Sequence, residues 1–419
     1  MEQKKQFSLG KYLTRREMDV PFFLLVITLL TIGLVMLLSA SYTYAYYNEG
    51  GNSTYYFTRQ LIFALIGIVG MLAVSRIKYE YYKYFAVIGM AVSIILLLLV
   101  LVLPEVKPGF KRWIEIPGVT TFQPSEIAKM GLIMFCAWGM DKNHRAIVGK
   151  IPCTGDISKR VLELSDGKLQ LYKSLPTTMM YGGLIIVMSL LVYLENHVSG
   201  TILMLAIGVT MLWLGEFKAR WFVIALTIGA LAAAVLILKP DILKEYAGER
   251  ITAWLDKDYE PLGARWQTNQ SIYAIGSGGF LGAGLGNSKQ KHLYVSEPQN
   301  DFIFSIVCEE LGFVGSVIIL ILFALLIWRG IYIAVNSRDR FAALLASGMC
   351  FQVGIQVALN VAVVSDLLPN TGISLPFFSS GGTSLFFLLL EMGVVLGVSR
   401  YARIDKVFKK RKKTAEAAK

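Results

Sequence analysis

Residues 21–41, PFFLLVITLLTIGLVMLLSAS, decide how the rest of the chain is read. No charge interrupts them, and a helix needs roughly 20 mostly apolar residues to cross a bilayer. Leu38-Ser39-Ala40-Ser41 continues into a Tyr-rich segment instead of a mature domain start, so this run is expected to be a retained span and not a cleaved signal. Nine further apolar runs follow, near 60–76, 85–103, 124–140, 178–195, 200–216, 219–238, 302–328, 341–364 and 376–399. Together they predict an all-α polytopic membrane protein of about ten transmembrane helices. Composition agrees. Of 419 residues, 55% are hydrophobic and only 17% charged, against about 45–50% and about 25% in soluble domains. The mean hydropathy is +0.56. Cys136, Cys153, Cys308 and Cys350 have no paired spacing, which speaks against a disulfide framework or a zinc site.

The net charge of +12 has to be located before it is interpreted. Lys4, Lys5, Lys11, Arg15 and Arg16 precede the first span, and eight Lys or Arg fall between Arg400 and Lys413. Loops 76–84, 141–177 and 329–340 are also basic, whereas loop 42–59 carries only Arg59. Lys and Arg concentrate on the cytoplasmic side of membrane proteins. This places segment 1–18 and the tail 401–419 in the cytoplasm, with the membrane domain at 19–400. Residues 141–177 become a cytoplasmic loop and 239–301 a large extracytoplasmic one, ordered to judge from Trp254, Trp266 and its glycines. The excess charge thus reports topology and attraction to anionic lipid, and no nucleic-acid partner is expected.

Ionisable residues at membrane depth default to functional candidates. Here they gather at the outer ends of the spans: Arg59, Lys111, Arg112 beside Trp113, Glu126, Lys129, Glu195, His197, Asp301, Glu309, Glu310 and Asp366. Glu126 and Lys129 stand at i, i+3 on one helical face and can pair. Asp301 is open to two readings, a free carboxylate or an N-cap of the eighth span. Glu309 and Glu310 fit helix cohesion better than chemistry, and three histidines with scattered cysteines give no transition-metal cluster. The run Gly276–Gly286 lacks the Gly-Lys-Ser/Thr ending of a P-loop. It could still turn backbone N–H groups, with Lys289 and Lys291, toward a phosphate. The whole suits an outward cavity for a lipid-linked anion, in which a carboxylate takes a proton from an attacking hydroxyl.

Three separated segments resemble the SEDS family (FtsW, RodA, SpoVE) over about residues 19–403. The first runs from Asn287-Ser288-Lys289-Gln290-Lys291 through Glu297-Pro298-Gln299-Asn300-Asp301-Phe302-Ile303-Phe304-Ser305 to Glu309-Glu310-Leu311-Gly312. The second runs from Leu368 through Pro376-Phe377-Phe378-Ser379-Ser380-Gly381-Gly382-Thr383-Ser384 to Leu385. The third comprises Arg112-Trp113-Ile114 with Phe122-Gln123-Pro124-Ser125-Glu126-Ile127-Ala128-Lys129, and Gly33-Leu34-Val35-Met36 is FtsW-like. Where the family usually has Pro-Glu-x-His-Thr-Asp, this chain reads Ser296-Glu297-Pro298-Gln299-Asn300-Asp301; Ser380 and Thr383 also depart from the second pattern.

The resemblance implies a ten-helix peptidoglycan glycosyltransferase that polymerises lipid II at the outer face of the bacterial cytoplasmic membrane. Asp301 matches the family's essential aspartate. Arg59, Lys111, Arg112, Trp113, Glu126, Lys129, Lys291 and Glu297 are the implied substrate-binding set. Glu195, His197, Glu309, Glu310, Ser379, Gly381 and Gly382 are the implied supporting set. A divalent cation, Mg or Mn, would sit at the pyrophosphate. A class B penicillin-binding protein transpeptidase would act in trans, among other divisome or elongasome membrane proteins, with a tilt toward septal synthesis. A lipid II flippase and a non-catalytic divisome scaffold are the alternatives. Charges at the outer span ends, and no repeat symmetry visible by eye, weigh against alternating access.

Overall fold

The computed structural model describes residues 16–106, 111–116, 120–148, 175–238, 245–263 and 265–402. Most of segment 1–18, most of loop 141–177 and nearly all of tail 401–419 therefore lie outside the described residues.

A helix stands at each of the ten expected positions: α1 (Val20–Asn48), α2 (Tyr55–Ser75), α3 (Tyr82–Val102), α4 (Pro124–Lys142), then, after a single turn α5 (His144–Ile147), α6 (Leu175–Leu194), α7 (Val198–Leu214), α8 (Ala219–Leu238), α11 (Ile303–Val335), α12 (Arg340–Val364) and α13 (Gly382–Ser399). Two more, α9 (Glu245–Leu255) and α10 (Trp266–Gly278), lie within the stretch expected to be an ordered outer loop. Seven of the described helices are long and apolar enough to cross a membrane. Of the other expected spans, α7 has 17 residues and α8 has 20. The helix α4 carries Glu126, Lys129, Asp141 and Lys142; Ala128, Lys129, Leu132, Cys136 and Met140 are buried, so Lys129, its mid-helix cation, is shielded by the bundle, while Asp141 and Lys142 lie at its end.

The helices α12 and α13 form the centre. In each, 67% of the apolar window is buried, against 22–39% in the other spans. Around them α2 packs along α13, α3 on α4, α11 on α12 and α1, and α7 on α6 and α12.

One end of the bundle is tied by charged caps. Asp19 Oδ1 accepts from the Phe22 N–H and so starts α1, where Pro21 supplies a preset φ. The same carboxylate receives the Arg329 guanidinium at 2.8 Å, and the Asp19 N–H donates to Ser399 Oγ. Asp339 caps α12 through the Ala342 N–H and accepts from the Tyr79 hydroxyl at 2.9 Å. The opposite end holds a small hairpin, β1 (Ile114–Ile116) paired antiparallel with β2 (Thr120–Phe122), together with α9, α10 and the loops before α11 and α13.

Two helices differ from expectation. The last span begins at Gly382, not near 376, because Phe377 adopts φ 66° and residues 376–381 run as an irregular strap. The long helix α11 breaks at Gly312, with φ 67° and ψ −169°.

Candidate active site

Asp301 enters the loop-rich end from a tight turn. Glu297 takes φ 49°, and the Asn300 N–H donates to Glu297 O at 3.0 Å. The Asn300 side chain donates to Glu297 Oε2 at 2.7 Å. The helix α11 is capped at Phe302 without a side-chain hydrogen bond. The N-cap reading of Asp301 is therefore set aside, and its carboxylate is free of that duty.

The second signature holds this turn in place. Ser379 Oγ donates to Asn300 O and accepts from the Leu375 N–H, while the Ser380 N–H donates to Gln299 O at 2.8 Å. Asn360 Nδ2 bridges Asp301 O at 2.8 Å and Ile373 O at 2.6 Å. Gln60 completes the strap, donating to Ser379 O and accepting from the Gly381 N–H, both at 3.1 Å. Gly372, at φ +77°, lies directly beneath the carboxylate; a Cβ there would stand 3.1 Å from Asp301 Oδ2. Glycine suits the left-handed backbone conformation, and an added Cβ would crowd the carboxylate, which would have to shift by a few tenths of an ångström.

A cavity of about 350 Å³ opens over Asp301. It brings together Arg59, Arg112, Trp113, Glu126, Lys129, His197, Glu297, Ser379, Gly381 and Gly382, drawn from loops and helices far apart in sequence. The Arg112 guanidinium stacks 4.2 Å over the Trp113 ring in a cation–π contact. Lys129, 4% exposed, pairs with Glu126 at 2.9 Å. Burial pushes the Asp301 carboxyl above its ordinary range; Arg112 and Arg250 pull it back, and Glu297 adds to the rise. His197 shares a hydrogen bond of 3.2 Å with Gln123. Burial, helped by Arg112 and Lys129, takes its imidazole down to about 3, so it stays neutral. Glu195 lies behind the cavity wall, fully buried, with neither carboxylate oxygen hydrogen-bonded. Burial raises it to about 9 against the pull of Arg112, so it carries a proton at neutral pH.

Lys111 is half-buried outside the cavity. Lys291 is also elsewhere: its ammonium donates to Gly286 O at 2.6 Å, Glu310 Oε1 at 2.9 Å and Ser39 Oγ at 3.0 Å. Glu309 accepts from Ser288 Oγ at 2.5 Å and from the Lys289 N–H at 2.8 Å. The expected substrate role of Lys291 gives way to a structural one, because this buried network consumes its donors. The glycine run is likewise spent. Its Ala283 and Gly284 N–H groups donate to the Glu309 and Glu310 carbonyls at 2.9 and 3.0 Å, not toward a phosphate. Breaking a buried ion pair from one side costs about 3–5 kcal/mol. Lys291→Met is therefore expected to lower the melting temperature in detergent sharply, and a melting curve superimposed on the wild type would contradict this assignment.

Sequence reading missed two residues. Glu391, in the middle of α13, accepts from Gln352 Nε2 of α12 at 2.8 Å, and both line the cavity. A neutral pair would link two membrane helices for about 0.6 kcal/mol on average, whereas burying a carboxylate costs several kcal/mol. Glu391 is the only ionisable residue in the run 382–399, and that isolation was the available signal.

Comparison with known proteins agrees with this architecture. The family model FTSW_RODA_SPOVE, described as "Cell cycle protein", matches residues 20–404. Stage V sporulation protein E of Bacillus subtilis is 35% identical over 92% of this chain and 98% of its own. A probable peptidoglycan glycosyltransferase FtsW of Trichlorobacter lovleyi is 37% identical over 94% and 95%. Among solved structures, RodA of Thermus thermophilus superposes with a TM-score of 0.63 at 24% identity, covering 92% of this chain and 98% of its own. A chain from a structure described as "Structural coordination of polymerization and crosslinking by a peptidoglycan synthase complex" reaches 0.68 at 24% identity, covering 91% and 98%. At these identities the two structures speak for the fold.

Proposed function

Since this chain belongs to the FtsW, RodA and SpoVE family of cell cycle proteins, we propose that it is a peptidoglycan glycosyltransferase polymerising lipid II at the outer face of the bacterial cytoplasmic membrane. The observation that carries the reading is the Asp301 carboxylate, unused by the helix it precedes and fixed over Gly372 in a cavity it shares with Arg59, Arg112 and Lys129. On this reading the loop-rich end faces outward, and both termini lie in the cytoplasm.

The acceptor's GlcNAc 4-hydroxyl oxygen attacks the anomeric carbon of the donor MurNAc. A glycosidic C–O bond forms as the bond to pyrophosphate breaks. The hydroxyl proton passes to Asp301, and the electron pair leaves with undecaprenyl pyrophosphate. A general base works best when it is not too weak, and burial raises Asp301 in that direction while Arg112 and Arg250 keep its ionised form accessible. Arg59 and Arg112 offer planar donors to phosphate oxygens, and Trp113 provides a face for a sugar ring. Lys129, held by Glu126, adds charge deeper in the cavity. A neutral His197 can position a hydroxyl without competing for the proton.

No group of three or more acidic, His or Cys side chains gathers as metal ligands among the described residues. A divalent cation would fit only if Glu297, whose Oε2 already accepts from the Asn300 amide, shared it with the substrate's phosphates, as Mg²⁺ usually binds through one or two carboxylates. It would supply charge neutralisation at the leaving group.

The cross-linking partner on this reading is a class B penicillin-binding protein, and the septal machinery is the proposed setting. The test is polymerisation of purified lipid II by the detergent-solubilised protein with that partner. Glycan strands are the expected product. An intact complex that makes none, yet moves lipid II across vesicles, would favour the flippase.

A further inference from the structure

The cavity does not end at the reacting groups. Its floor reaches between α12 and α13, where Gln352 and Glu391 are 2% and 1% exposed. Gln352 spends its Nε2 on Glu391 Oε2, while its carbonyl oxygen, Oε1, has no hydrogen-bond partner. Ser199 Oγ, from the first turn of α7, lines the same cavity; the residue is 3% exposed and this oxygen too is unpartnered. Lys129 and Glu126 are the charged groups within electrostatic reach of Glu391, and they are paired with each other.

Buried polar groups are nearly always satisfied, so an unsatisfied set around a cavity asks for what completes it. A purely structural link between two helices would be made as well by a second amide, which has no ionised form to desolvate. Gln352 Oε1 can only accept, the Glu391 carboxyl accepts and, when protonated, also donates, and Ser199 Oγ can turn either way. They match a ligand bearing hydroxyl or amide N–H donors.

We propose that Gln352 and Glu391 form a deeper subsite of the cavity, which binds the hydroxyl and amide N–H donors of a lipid-linked sugar away from its reacting atoms. The inference rests on the glycosyltransferase reading and deepens it, since it assigns specificity to residues that take no part in proton transfer. A subsite that binds ground state and transition state alike affects KM and leaves kcat nearly untouched.

The test is steady-state polymerisation of purified lipid II by wild type, Glu391→Leu, Glu391→Gln and the double variant Gln352→Glu/Glu391→Gln, with a melting curve for each. Glu391→Leu is expected to raise KM about tenfold with kcat within about threefold. Glu391→Gln keeps the shape if the leucine variant fails to fold, and is expected to raise KM by a smaller factor. The double variant restores the dyad in reverse and is expected to return KM toward wild type. Wild-type KM in both single variants would overturn the subsite. So would a KM that follows the loss of melting temperature and is not recovered by the double variant, which would mark a mere helix link. Those results, obtained with an active wild type, sink the subsite alone; a wild type that makes no strands sinks the reading beneath it.

Discussion

Asp301→Asn is expected to abolish polymerisation while leaving the fold at least as stable. Loss of a general base typically costs 10²–10⁴-fold, so strand synthesis should fall by at least about 100-fold, and polymerisation at the wild-type rate would remove Asp301 from the reaction. The stability half follows from burial. The folded protein raises the Asp301 carboxyl above its ordinary range, so folding favours the protonated form. That contribution is fully present below the unfolded pKa, near 3.9, and is lost as pH rises through the higher folded value. Asn at 301 keeps the shape and carries no charge to desolvate. Melting curves of wild type and variant should therefore separate as pH rises from about 4, with the wild type falling relative to Asp301→Asn. Parallel curves would contradict the burial argument. Activity should fail on the acid side at a higher pH than an unperturbed aspartate would give, because only ionised Asp301 accepts the proton.

Much of this site was legible from residue type and place. Arg59, Arg112, Glu126, Lys129 and Asp301 are costly near lipid, so their presence at span ends already marked a shared polar space. Their convergence in one cavity follows from the bundle, since every second loop must emerge at the same end. What sequence could not decide was which donors remain available. Lys129 and Lys291 are both lysines at the loop-rich end, yet the first faces the cavity and the second is consumed by Glu310 and Ser39. That difference depends on a loop folding back on a broken helix, a contact between residues about twenty apart that no helical or strand period encodes. The departures in the Asp301 turn also acquire a local sense. Asn300 ties its amide to Glu297, and Gln299 gives its carbonyl to the Ser380 N–H. Of the two, only Asn300 braces the turn with its side chain; the bond at Gln299 is made by backbone.

The same broken helix supports the second large effect, in which Gly312→Ala prevents accumulation of folded protein. Gly312 sits at φ 67° and ψ −169°, a region almost closed to residues with a Cβ and costing about 1–3 kcal/mol. Space is the greater obstacle. A Cβ at Gly312 would stand 2.2 Å from Gly282 N, and one at Gly282 would stand 2.2 Å from Glu310 O. Both obstacles are backbone, so no side-chain rotation relieves them. Relief requires the 279–284 segment to move off α11, which frees the Glu309 and Glu310 carbonyls now held by the Ala283 and Gly284 N–H groups. A buried acceptor left unsatisfied costs about 1–3 kcal/mol. Strain plus two unsatisfied acceptors thus comes to about 3–9 kcal/mol, comparable with the lower part of a folding margin of about 5–15 kcal/mol. Gly276→Ala is the matched control, since that glycine lies inside α10 with nothing within 4 Å of an added Cβ. It should accumulate as well as the wild type or better, alanine being the stronger helix former. Equal folded yields of Gly312→Ala and Gly276→Ala, measured by size-exclusion chromatography in detergent, would show that the loop yields without cost. A selective loss at Gly312 would instead show that the first two turns of α11, and Asp301 ahead of them, are held in register by this backbone-to-backbone clasp.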